Sequence, residues 1–75
     1  MQTRELTHID DLVEGDDYSV TVRINGHDKI KYGTFVCMKL SPRWGCLVLR
    51  FVCSRGRMRT ICARDFRSAI KREDI

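Results

Sequence analysis

GCLVLRFVCSRGRMRTIC, residues 45–62, is the stretch that decides how this chain folds. A run of β-branched, aromatic and other apolar residues reaches a glycine-centred turn and returns as a shorter strand, and strands joined this tightly run antiparallel. Arg55 and Arg57 flank Gly56, while Arg50 and Arg59 sit in the strands, so the hairpin carries four guanidiniums and no carboxylate. Like charges this close cost stability unless solvent screens them or an anionic partner offsets them.

The hairpin's register sets where those arginines point. With Arg55-Gly56 as a two-residue loop, Val52 faces Arg59 and Arg50 faces Ile61, which puts Val48, Arg50, Val52, Arg57, Arg59 and Ile61 on one side. Leu47, Leu49, Phe51, Cys53, Met58, Thr60 and Cys62 then form the core side. With Ser54-Arg55-Gly56 as a three-residue loop and Gly56 left-handed, Phe51 faces Arg59 and Leu49 faces Ile61 instead. The two-residue loop is preferred, because it keeps strand arginines off the Leu/Phe face, where burying an unpaired guanidinium costs several kcal/mol.

Working outward toward the amino terminus, Ser41-Pro42-Arg43-Trp44-Gly45 reads as a turn, since proline cannot continue a ladder. Trp44, the one tryptophan, is expected as a buried plug for the end of a barrel; an exposed platform for a base or a partner's side chain is the alternative. Residues 30–40 form a long strand with Ile30, Tyr32, Val36, Met38 and Leu40 on one face and Lys31, Phe35, Cys37 and Lys39 on the other, interrupted by Gly33 at a bulge or bend. Asn25-Gly26 is a strong hairpin turn, with His27 and Asp28 widening its loop. Before it, Tyr18, Val20, Val22 and Ile24 alternate with Ser19, Thr21 and Arg23, the signature of a half-buried strand. Residues 7–14 predict a short helix with Ile9, Leu12 and Val13 on its docking face and Gly15 at its end. Beyond the central hairpin, Phe66, Ala69 and Ile70 share a helical face across residues 63–75, with Arg64, Arg67 and Lys71 on a basic ridge.

Seventy-five residues, 43% hydrophobic with one proline, make one small β-rich domain over residues 1–75, marginal alone and helped by a partner or by self-association. The expected architecture is mainly β: a small, strongly bent antiparallel sheet or a partly closed barrel of the SH3-like or Sm-like kind, with a short N-terminal helix and a C-terminal helix. A fifth short strand would come from residues 1–6 or from the tail. An open four-stranded sheet with a helix packed on it is the alternative. No apolar run has membrane-spanning length and the amino terminus has no signal-peptide core, so a cytoplasmic location without membrane association is expected.

The net charge of +4 is unevenly spread: residues 1–28 hold seven acidic and two basic side chains, and residues 29–75 hold three acidic and twelve basic ones. Either this makes a dipolar surface that steers an anionic partner, or the acidic segment folds back and cancels the basic one. Cys37, Cys46, Cys53 and Cys62 lack the close pair typical of a zinc site, so they are expected as reduced, small hydrophobes with no metal or cofactor; strand-bridging zinc or disulfides are the alternatives. No nucleophile motif, HExxH arrangement or phosphate loop is present, and no enzymatic activity is expected.

Two binding functions remain. Arg43, Arg50, Arg55, Arg57, Arg59, Arg64, Arg67 and Lys71 would form a stripe for RNA or DNA, with Trp44 or Tyr32 stacking on bases, as in a small nucleic-acid-binding or regulatory domain. Alternatively the same basic face docks on an acidic protein surface, as an inhibitor or adaptor, with homo-oligomerisation as a further option.

Overall fold

The computed structural model describes residues 5–72, which form an antiparallel sheet of six strands. β1 (Glu5–Leu6), β2 (Asp17–Ile24), β3 (His27–Ser41), β4 (Cys46–Val52), β5 (Met58–Cys62) and β6 (Phe66–Lys71) lie in the order β1-β6-β2-β3-β4-β5. The sheet is open, which corrects the expected barrel: β6 pairs with β2, β5 pairs only with β4, and no ladder joins the two ends among the described residues. With β1 paired to β6 over two residues, no strand is left to close the gap.

Neither expected helix forms. Residues 7–14 contain a single 3₁₀ turn, Ile9–Asp11, with no side chain capping its start and Leu12 already extended. So short a helix repays its nucleation only by docking, and the chain docks here without one. The Val13 N–H donates to the Tyr18 hydroxyl at 2.9 Å, Leu12 is buried, and Leu6 and Ile9 pack beside the core. At the other end the chain makes the 3₁₀ turn Ala63–Asp65 and then runs as β6 against β2. Val22 pairs with Phe66 and Thr21 with Ser68, so Arg67 is an extra residue in a bulge. The bulge brings Phe66 and Ala69, three apart, to one face, the spacing that reads as helical in the sequence. Ile70, expected with them, is exposed, and residues 73–75 of the expected helix lie outside the described residues.

The main buried cluster lies on one face of the sheet: Tyr18, Val20 and Val22 from β2, Phe35 from β3, Leu49 and Phe51 from β4, Ile61 from β5, and Phe66 and Ala69 from β6, together with Leu12; Val48 and its cross-strand partner Cys62 are buried on the other face. No second layer of helix lies over that face among the described residues; the segment before β2 covers part of it, with Leu12 in the cluster and Leu6 and Ile9 packed against it. Two irregularities shape β3. Phe35 pairs with Phe51 and Cys37 with Arg50, so Val36 bulges out and the faces swap: Ile30 and Tyr32 lie on the outer side, whereas Met38 comes opposite Leu49. Gly33 is not the bulge. A Cβ there would sit 3.0 Å from Phe51 Cβ and 3.2 Å from the Val52 carbonyl oxygen, so its lack of a side chain is what lets β4 approach.

The Asn25-Gly26 turn forms where expected, but tighter, and the second hairpin loop differs from expectation. Asn25 and Gly26, at φ 54° and 78°, form a two-residue turn with Ile24 opposite His27, so the loop is not widened. The β4–β5 hairpin takes the three-residue loop instead of the preferred two: Phe51 faces Arg59, Leu49 faces Ile61, and Gly56 is left-handed at φ 77°. Arg59 thus shares the Phe51 face without being buried. It sits on an edge strand near the loop, where a long side chain keeps its charge in water.

A candidate anion-binding cleft between two hairpins

The two hairpins meet along β3 and then part. β3 pairs with β4 from Ser41 back to Thr34, opposite Val52, and its remaining residues, 27–33, pair only with β2. The β4–β5 tip projects past that last rung, so a cleft of about 510 Å³ opens between the diverging hairpins. Gly33, Thr34 and Val52 line its base, Ile30, Lys31 and Tyr32 one wall, and Cys53, Ser54, Arg55, Arg57 and Arg59 the other, with Asp17 and Arg72 also lining it.

Five cationic residues therefore line the cleft against Asp17, whose carboxylate accepts a hydrogen bond from the Thr34 hydroxyl. Among the described residues the ion pairs are Arg23 with Asp28 and Lys71 with Asp16, neither involving the cleft's cations. Tyr32 is 53% exposed, and the Arg72 guanidinium lies 5.0 Å from its ring centroid. Cys53 follows β4 at the mouth of the hairpin loop. Its thiol is held below the ordinary range, first by the backbone N–H of Arg55, then by that of Arg57 and the charge of Arg59, against the opposing effect of burial.

The expected basic stripe is divided by this geometry. Arg55, Arg57 and Arg59 come together in the cleft. Arg43 and Trp44 lie in the β3–β4 turn, at the far end of a ladder roughly 20 Å long. Trp44 is 51% exposed, so it is not the expected plug. Arg50 lies in mid-β4, half-buried, its Nε without a hydrogen-bond partner. Arg64 is exposed in the 3₁₀ turn before β6, and Arg67 is exposed in the bulge, its charge felt by Asp28. Lys71 is bound to Asp16 at 3.4 Å.

Two of the cleft's cationic residues were not among the site residues expected from the sequence: Lys31 and Arg72. The available signal was strand alternation. On a strand, Lys71 and Arg72 point to opposite sides, so one meets Asp16 and the other Tyr32; a helical reading of the tail hides that division. Among the described residues, no three His, Cys, Asp or Glu side chains gather as metal ligands. No family model, no curated protein and no solved structure matches the chain.

Proposed function

We propose that the protein binds nucleic acid, holding a single-stranded stretch of RNA or DNA in the cleft between the hairpins. The observation that carries this reading is the convergence of Arg55, Arg57 and Arg59 beside the half-exposed ring of Tyr32. Guanidinium forks match phosphate oxygens in pairs, and a tyrosine face accepts any base. The cleft's volume suits a short single strand.

The test is the affinity of a labelled single-stranded oligonucleotide measured across salt concentrations. The logarithm of the affinity should fall linearly with that of the salt, by about 0.7 units for each phosphate neutralised. Arg55→Ala and Arg57→Ala should each flatten that slope by about this amount, and Tyr32→Ala should cost about 1–3 kcal/mol of binding. Lys71→Ala, which removes a cation already paired with Asp16, should change little. A salt-independent affinity, or equal losses from Lys71→Ala and Arg57→Ala, would remove the proposal.

Exposed Ile30 and Met58 near the same arginines favour a second reading, in which an acidic protein surface with apolar contacts fills the cleft. Association that survives nuclease treatment would select it.

A further inference from the structure

Two cysteines away from the cleft lie against each other. Cys46 Sγ and Cys62 Sγ are 2.8 Å apart, within about 1 Å of the ~2.05 Å of a bonded pair. Cys46 opens β4 and Cys62 closes β5, and Val48 stands opposite Cys62, so the two thiols meet diagonally where the chain leaves the sheet for the Ala63–Asp65 turn. β3 holds Cys46 from the other side through the Ser41 rung. Cys62 is buried and Cys46 half-buried.

We propose that Cys46 and Cys62 form a disulfide when a small disulfide such as oxidised glutathione is supplied. Cys46, the more accessible, attacks one glutathione sulfur as the thiolate; a mixed disulfide forms and one glutathione thiolate leaves. The Cys62 thiolate then attacks Cys46 Sγ, the bond to glutathione breaks, and the second glutathione thiolate leaves. Two protein thiols are oxidised to one disulfide, one glutathione disulfide is reduced to two thiols, and the protons given up by the cysteines end on them. The hydrogen bond with Cys62, then burial, pushes the Cys46 thiol above its ordinary range, so closure is slow at neutral pH. The bond encloses the whole β4–β5 hairpin in a covalent loop, which restricts the unfolded chain and raises the melting temperature by on the order of 10 °C. It does not depend on what occupies the cleft.

The four cysteines fall on four separate tryptic peptides, which makes the test direct. The folded chain is incubated with oxidised glutathione, quenched with acid, alkylated and digested. Peptides WGCLVLR (residues 44–50) and TICAR (residues 60–64) should be recovered as one disulfide-linked species, with Cys37 and Cys53 alkylated. The linked protein should melt higher, and dithiothreitol should reverse the rise. Cys46→Ser and Cys62→Ser should each abolish the linked species, and Cys37→Ser should retain it; if a variant does not fold, the map of the unaltered chain decides. A lasting glutathione adduct on Cys46 with Cys62 free, a link through Cys37 or Cys53, or a linked form that melts no higher would overturn the proposal.

Discussion

At Gly33 the chain packs directly against β4, and its effect on the sheet is steric. A methyl group there would meet Phe51 Cβ and the Val52 carbonyl, and Phe51 is fully buried beside Phe35 at a ring separation of 5.4 Å, with no free space to retreat into. Gly33→Ala should therefore destabilise the protein by about 1–3 kcal/mol, read as a lower urea midpoint with an unchanged slope. A change within a few tenths of a kcal/mol would mean that Phe51 moves aside freely. Tyr18 shows the complementary case of a large side chain that fits because its one polar atom is used: its hydroxyl accepts the Val13 N–H. The glycine and the tyrosine are cross-strand partners, so the emptiest and one of the fullest positions of the sheet stand side by side.

Among the elements, the two bulges explain both what the sequence revealed and what it concealed. β2 and its turn were legible because their information is local: strict alternation from Tyr18 to Ile24, then two residues that accept positive φ. β6 was not, because an extra residue at Arg67 gives a strand the three-residue spacing of a helix. The bulge at Val36 likewise reversed the faces assigned to the second half of β3. The β4–β5 hairpin was legible as a hairpin but not in register, since the argument against an arginine on the Phe51 face took no account of an edge strand that returns it to water. If β6 is a core strand, Phe66→Ala should cost about 3–5 kcal/mol, whereas Arg67→Ala, at the extra residue, should stay within about 0.5 kcal/mol. Chemical denaturation of both variants checks this, and equal small losses would mean a tail that is not integral to the sheet.

At the scale of the molecule, one core shared by five strands makes the sheet a single cooperative unit, because no hairpin keeps a buried face without the others. Unfolding followed by far-ultraviolet circular dichroism and by the near-ultraviolet signal of Tyr18 and its neighbours should give coincident transitions. Separate transitions would mean that the two hairpins melt independently. The charge asymmetry of the sequence also resolves at this scale. The acidic segment folds back in part, with Asp16 against Lys71 and Asp17 beside Thr34, but none of its carboxylates pairs with Arg55, Arg57 or Arg59 among the described residues. The hairpin's arginines could be read from the sequence as a group; that β3 would continue past β4 and open a space for them could not, because that depends on where the last rung falls.

The outer margin of β5 presents main-chain donors and acceptors that no further strand satisfies on that side among the described residues, and such a margin is where a second molecule can add by backbone pairing. Here Arg59 is the second residue of β5 and Arg57 comes just before the strand, so two copies approaching margin to margin meet mutual repulsion before any amide is in reach. A polyanion lying over those groups would remove the repulsion while leaving the amides unpaired. Saturation with such a ligand would thus take away the charge that keeps one molecule from extending another's sheet.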